Sequence, residues 1–456
     1  MTSQHQTLTD APRTHRRAVA FWERSPTLWR WVLCLMAMLL TVDLRLMGLG
    51  HAYDVFGDEI YYVDLGRSLW GGHYPPQFQH QGPFLLHPPL FFGFEAAWRD
   101  LFGPQASYFH LLYLDRDLNV VFAAISAGAL FFIGERLGGR LAGAAAALLF
   151  AFSPYILRLN GRVLLETSAL AFVLVGYAIL FHALGERGRR ARWWGIGAGI
   201  VMGLGVVCTD MAGLVTVVPL AVLLGLGWRC DRRTVALAVV GAIVPYVAYL
   251  VTLGASGTLG AFIHQETFGL RRLLGLVQVT GFNQAGAPSL VGKLLAQIAH
   301  FITTYLVCGL GVASAVYCLF SRRRELRVLG LFVASAILTL GYAVFFGTVE
   351  EQFLYFLSGP SILGVVVTGA ALARGEGRLG ARVLARFPRP RALGAGLLVV
   401  LLAAVAYDGS IWYATRTTPD NGLQREVAWF HRNVPHPGVI GTDSGVNKFL
   451  LTRSGE

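Results

Sequence analysis

VLLETSALAFVLVGYAILFHALGERGRRAR, residues 163–192, is the stretch on which the fold turns. Its first 22 residues carry a single charge, Glu166, and as a helix rising about 1.5 Å per residue they are long enough to cross the ~30 Å apolar layer of a bilayer. The rest hold Arg187, Arg189, Arg190 and Arg192, the kind of basic run that membrane proteins keep on the cytoplasmic side.

Working outward in both directions, the same alternation of apolar block and basic run recurs. Eleven spans are expected, at about 29–49, 117–134, 141–157, 163–184, 193–209, 211–227, 234–252, 297–319, 328–346, 352–373 and 392–408. Of the 456 residues 55% are apolar and 14% charged, against roughly 25% charged in a soluble domain, so too few polar groups exist to coat a water-soluble globule. The expected fold class is an all-α integral membrane bundle.

The net charge of +12 does not point to nucleic acid, because the arginines are dispersed between apolar blocks. With the N-terminus placed inside, 24 of the 38 Lys and Arg fall in cytoplasmic segments, beginning with Arg13, Arg16 and Arg17 and ending with Arg386, Arg389 and Arg391. The expected organisation is a basic cytoplasmic tail over 1–28, a transmembrane domain over 29–408 and a short outer segment over 409–456. The long loops 50–116 and 253–296 then also face outward, in a multi-pass plasma-membrane protein. No cleavable signal peptide is evident, and the first span is expected to stay as an anchor. In the tail, a helix from about Leu423 to His431 precedes a short apolar strand around Val439 and Ile440.

Two amphipathic helices are expected in the first outer loop, lying in the membrane interface. One carries Tyr61, Leu65 and Leu69 on one side; the other starts at Pro88-Pro89 and stops at Gly103-Pro104. The five cysteines are scattered and show no disulfide or metal spacing, and no phosphate-cradling glycine loop follows a strand. A soluble nucleotide-sugar enzyme is therefore not supported.

Several outer-face residues could carry chemistry. Gly57-Asp58-Glu59 offers two carboxylates just past the first span, one of which could act as a base toward an acceptor hydroxyl; on this dipeptide alone, a solvated loop acid pair stands ahead of that reading. His87, held by Pro88-Pro89 at a rigid corner, either caps the following helix or hydrogen-bonds a phosphate or carboxylate. Arg162 and Glu166, four apart at the mouth of the fourth span, read as partners on one helix face, with Arg162 a candidate for a phosphate and a structural ion pair as the alternative. Weaker candidates are Arg271 and Arg272 with His264 and Glu266 before them, and Glu350-Glu351; Asp43 and Arg45 are assigned to packing of the bundle.

In that order, the residues resemble the polytopic lipid-linked glycosyltransferases of the GT-C class, and within it the protein O-mannosyltransferase and aminoarabinose transferase family, in its bacterial form. Asp58-Glu59 matches the family's acidic pair, His87-Pro88-Pro89-Leu90 its His-Pro-Pro-Leu motif, and Gly161 to Glu166 its later Arg- and acid-bearing motif. Two departures stand out. Phe91-Phe92 and Cys208-Thr209-Asp210 occupy places where relatives commonly carry lysine, so any phosphate contact made there passes to other cations.

The resemblance implies a polyprenyl-phosphate sugar donor, an outer-face acceptor and a single inverting displacement. It implies Asp58 as base, with Glu59 and Glu166 orienting the reacting groups. Arg162, Arg271 and Arg272 would hold the donor phosphate, and Tyr62, His87 and Glu351 would contact substrate. No cofactor is expected; the residues do not indicate the divalent cation that some distant relatives need. Two other classes stay open: a transporter or flippase, disfavoured because the charges gather at one face, and a non-catalytic envelope-assembly protein.

Overall fold

The computed structural model describes residues 26–49, 55–78, 82–103, 108–228, 230–277, 290–342, 353–386, 390–418 and 422–434. Among these the only β pairing is an isolated bridge between Gln77 and Pro83; everything else regular is helical. After α1 (Pro26–Leu46) come α2 (Gly57–Trp70) and α3 (Leu90–Phe102). The bundle continues with α4 (Tyr108–Gly138), α5 (Arg140–Phe152), α6 (Pro154–Asn160), α7 (Leu165–Gly185), α8 (Gly188–Cys208), α9 (Ala212–Leu226) and α10 (Arg232–Ala255). Next come α11 (Leu259–Leu273), α12 (Leu290–Ala296), α13 (Ile298–Leu319) and α14 (Arg324–Ser335), which runs into a π-helical turn at Ala336–Leu340. The last helices are α15 (Phe353–Ala373), α16 (Gly377–Arg386), α17 (Pro390–Thr417) and α18 (Gly422–Asn433).

Among the described residues, seven helices are long and apolar enough to cross a membrane, and eight if α5 and α6 count as one bent span. Three of the eleven expected segments fall short by that measure. In α1 the charges Arg30, Asp43 and Arg45 interrupt the apolar run, α9 has 15 residues, and α14 has 12 before its helix changes to the π form. The 64° bend between α5 and α6 has a local cause. Ser153 leaves the helical conformation and accepts a hydrogen bond from the Ile156 amide at 3.4 Å, and Pro154 starts the next helix without needing a donor.

Small residues bring the helices together, since apolar lipid supplies no hydrophobic drive for helix association. On α8, Gly195, Gly199 and Gly203 form a one-residue-per-turn stripe against α10. A Cβ on Gly199 would stand 2.1 Å from the Ala238 carbonyl oxygen. Helix α7 is central, with most of its residues buried, whereas α13 and α17 present apolar residues such as Leu306, Leu310, Val399 and Val400 outward, as lipid-facing helices do. At the far end of α4 from α3, Arg374 donates to the Gly138 carbonyl at 2.7 Å and closes the helix C-terminus.

Helices α2 and α3 are not laid loosely on a surface. Val63, Leu65, Phe91 and Phe92 are buried in the main core, and Glu95, Arg99 and Asp115 form a fully buried charged group between α3 and α4. Arg99 donates through Nε to Asp115 at 3.1 Å and pairs with it again through Nη2. Helix α17 also differs from expectation: it runs on to Thr417 instead of ending near 408. The tail helix forms over Gly422–Asn433, and the strand expected at Val439 and Ile440 lies outside the described residues.

Candidate functional site

Glu59, in the first turn of α2, organises the site. Its side chain is fully buried and accepts from Arg116 through two contacts, Nε to Oε1 at 2.8 Å and Nη2 to Oε2 at 2.9 Å. The Val163 amide adds a third bond at 2.8 Å, and the Phe56 amide a fourth at 2.9 Å that closes the N-terminus of α2. A carboxylate engaged this fully has little capacity left for a substrate proton. Glu59 therefore positions: it ties α2, α4 and the corner before α7 to one point.

Asp58 precedes it, half-buried, in the same first helical turn, where exposed backbone N–H groups favour a negative charge. Across the junction, Arg162 is 4% exposed and lays its guanidinium over the Phe56 ring at 4.8 Å. Asn119 of α4 fixes the same corner by donating to the Arg162 carbonyl at 2.6 Å and the Leu164 carbonyl at 3.2 Å. The acidic motif and the Arg162 corner, 104 residues apart in sequence, are thus joined by bonds through Glu59 and by the ring of Phe56.

Arg162 opens onto a cavity of about 460 Å³ between α6, α13 and α17. Arg116, Arg158, Arg162, Arg416, Gln297, His300 and Thr415 supply its polar lining, and no carboxylate is among the described lining residues. Leu157, Phe301 and Trp412 give it an apolar side. Gly161 lets Arg416 come close, because a Cβ there would stand 2.7 Å from the Arg416 Nη2. Four guanidinium groups about one concave space make an electrostatic trap for an anion, and Arg is the residue best shaped to grip phosphate.

The expected site residues divide between this cavity and a second corner. His87 lies with its Nε2 3.5 Å from the Tyr62 hydroxyl, among Tyr62 and Phe84 rings. Burial, reinforced by the Arg272 charge, pushes its imidazole down to about 4, so it is neutral at physiological pH. Helix α11 crosses this corner: Gln265 accepts from the Leu85 amide at 2.8 Å and donates to the Pro83 carbonyl at 3.0 Å. Arg272 therefore serves the His87 corner, and neither it nor Arg271 lines the cavity that holds Arg162.

Other expectations change too. Arg162 sits in the turn before α7, which begins at Leu165, so it does not share a helix face with Glu166 as the spacing suggested. Glu166 is buried in the first turn of α7. Glu350 and Glu351 lie outside the described residues. Arg45 is part of the packing, donating to Asn160 at 2.9 Å and lying over the Phe150 ring, while Asn160 continues to the Tyr355 hydroxyl at 2.7 Å.

Three cavity arginines escaped sequence reading. Arg116 falls at the last residue of the expected loop, although a charge at membrane depth was a usable signal. Arg158 lies in the short bent helix, and Arg416 lies beyond the expected end of the last span.

Comparison with known proteins agrees with this architecture. Residues 87–252 match the family described as dolichyl-phosphate-mannose-protein mannosyltransferase. The match contains the His87 motif and the Arg162 corner and begins after Asp58 and Glu59. No curated protein matches the chain by sequence. Among solved structures, the archaeal oligosaccharyltransferase AglB from Archaeoglobus fulgidus, in complex with an inhibitory peptide and a dolichol-phosphate, superposes with TM-score 0.62 at 12% identity, over 90% of this chain and 59% of that one. ArnT from Cupriavidus metallidurans bound to undecaprenyl phosphate gives 0.61 at 15% identity, over 94% of this chain and 84% of that one. The chain thus spans about three-fifths of the archaeal enzyme and most of the bacterial one. It carries the fold of GT-C-type membrane glycosyltransferases and, over 87–252, the signature of the mannosyltransferase family.

Proposed function

We propose that this protein is a membrane glycosyltransferase that moves a sugar from a polyprenyl-phosphate carrier to an acceptor on the outer face of the plasma membrane. The observation that carries the reading is the Glu59 junction, which ties the turn bearing Asp58 to the arginine-lined cavity at Arg162. The phosphate of the carrier enters the cavity, its lipid passes along the apolar side formed by Leu157, Phe301 and Trp412, and the sugar faces Asp58.

In the reaction, the acceptor oxygen attacks the anomeric carbon from the side opposite the phosphate, and the bond from that carbon to the phosphate oxygen breaks. Asp58 takes the acceptor's proton as its oxygen bonds. Arg162, with Arg158 and Arg416, holds the charge that gathers on the departing phosphate, in a setting where each interaction is worth more than in water. The carrier leaves as the phosphate monoester, so no general acid is required. Arg116 is placed by Glu59, His87 acts as a neutral hydrogen-bonding group, and Arg272 supports that corner.

Purified protein given a radiolabelled polyprenyl-phosphate sugar and a cell-envelope extract should transfer label to an acceptor. Asp58→Asn should lower turnover by about two to four decades without loss of folded protein. Full activity in that variant would remove Asp58 from the mechanism, and vesicle uptake of label without transfer would make the protein a transporter.

A further inference from the structure

Over its first half α17 faces lipid, with Leu397, Leu398, Val399, Val400 and Leu402 all exposed. Further on, Trp412 and Arg416, one and two turns past Asp408, are buried and line the arginine cavity. The rotation of α17 about its own axis therefore decides whether the Arg416 guanidinium points into that cavity. The ties that set it begin at Tyr407 and Asp408. The Tyr407 hydroxyl donates to the Ala299 carbonyl of α13, and Asp408, 2% exposed, accepts from the Thr303 hydroxyl at 2.6 Å. One turn on, the Trp412 indole donates to the Leu44 carbonyl of α1 at 2.8 Å.

The two contacts on α13 straddle Phe301, where that helix leaves helical geometry at φ −126°, ψ 17°. On the outer side of the break, Gln297 and His300 line the arginine cavity. On the inner side, Thr304 shares a hydrogen bond with Ser153 at 2.9 Å, and Ser153 is the residue at the α5–α6 bend. Tyr155 and Phe301 meet edge to face at 5.4 Å between them. Ser153, Thr303, Thr304 and Asp408 all border one small void of about 10 Å³. The three elements that build the arginine cavity, α6, α13 and α17, are thus bonded to one another about one turn below it.

At membrane depth a carboxylate is costly to keep, and no water stands by to replace a lost partner. A carboxylate held there by the hydroxyl of a neighbouring helix fixes rotation as well as distance, because the bond forms at one setting of the two helices. We propose that Asp408 is a positioning residue for the donor phosphate: clamped by Thr303, it sets the rotation of α17 and so holds Arg416 in the cavity. The inference rests on the reading of that cavity as the phosphate site. Asp408 does not line the cavity and acts through Arg416.

Titration of the full chain in detergent with undecaprenyl phosphate, read by native mass spectrometry, tests it, with undecaprenol as the lipid that lacks the phosphate. The parent should prefer the phosphate lipid, and Arg416→Gln should bind it about ten-fold more weakly. Thr303→Val, which keeps the shape and removes the hydroxyl, should weaken binding about three- to ten-fold, and Asp408→Leu should match it. Thr303→Ser should restore the parent value, and the threonine pair decides alone if Asp408→Leu does not fold. When Thr303→Val is combined with Arg416→Gln the losses should not add, because the bond acts through the group already removed. In transfer assays Thr303→Val should raise donor KM and leave kcat within about two-fold. Parent-like affinity in Thr303→Val beside a weak Arg416→Gln, equal losses in the two threonine variants, or additive losses in the double variant would overturn the positioning role and leave the phosphate reading standing. Equal binding of undecaprenol and undecaprenyl phosphate by the parent would instead remove the phosphate site, and the inference with it.

Discussion

The arginine cavity and the acidic corner where α11 meets the α8–α9 turn are opposites in charge, and they differ also in how the surrounding protein treats that charge. In the first, Glu59 beside the cavity is engaged by Arg116 and two backbone amides, and the described lining residues carry charge as arginine. In the second, at Asp210 and Glu266, neither carboxylate makes an ion pair among the described residues, and Asp210 Oδ1, Glu266 Oε1 and the Tyr249 hydroxyl have no hydrogen-bond partner there. Fully bonded charge fixes geometry, as Glu59 does. Charge without an internal match does not, and buried oxygens with no hydrogen-bond partner among the described residues also occur at Asn119 and Ser361.

Breaking the fixed part of the cationic side should have the largest effect. Glu59→Ala removes the carboxylate that Arg116, Val163 and Phe56 all bind, and loss of one partner of a buried pair costs roughly 3–5 kcal/mol. Thermal unfolding in detergent should show a much lower midpoint; a midpoint within a degree of the parent would mean that Glu59 does not position the site.

Removing a charge from the lining should act on chemistry instead. Arg162→Gln should reduce kcat by about 10²- to 10³-fold, the range for losing one preorganised donor, while the unfolding midpoint changes little. An unchanged kcat would shift the phosphate away from this cavity.

A gentler perturbation tests the approach of α17. In Gly161→Ala the new methyl would stand 2.7 Å from the Arg416 Nη2, so the guanidinium must move a few tenths of an ångström. Donor KM should rise by about three- to ten-fold, less than 1.4 kcal/mol, with kcat nearly constant. A kcat loss as large as that of Arg162→Gln would indicate that the corner itself had collapsed.

A last pair of tests reads pH against stability, where the two corners should pull in opposite directions. His87 binds its proton more weakly folded, at about 4, than at its ordinary 6.5, so stability should rise as pH climbs through that window. Glu266 binds its proton more tightly folded, at about 8, than at its ordinary 4.5, so stability should fall as pH climbs from about 4.5 to 8. His87→Asn should flatten the acid limb of the midpoint profile and Glu266→Gln the alkaline limb, and a profile insensitive to both would contradict the two burials.

Much of the bundle was legible in the sequence because hydropathy reports lipid contact directly, as in residues 163–184, where α7 forms over Leu165–Gly185. The end of the last span was not, and the reason is specific. Asp408 breaks the apolar run, yet it is buried and accepts from Thr303 at 2.6 Å, so α17 continues and carries Trp412 and Arg416 inward on the same face. Pairwise spacing misled at Arg162 and Glu166, since the turn at Gly161 to Leu164 puts only the second of them on the helix. Arg116, Arg158 and Arg416 come from three distant parts of the chain and meet only through folding. The Lys-to-Asp departure at Asp210 was visible as a difference, but the buried acid whose proton its charge helps to hold, Glu266, required the packing of α11 to appear.

A cryo-EM structure of the protein in nanodiscs with bound undecaprenyl phosphate tests the central claim most directly. Phosphate density within hydrogen-bonding distance of Arg162, flanked by Arg158 and Arg416, is the expected result. Density instead at the His87 and Arg272 corner, with the arginine cavity empty, would contradict it.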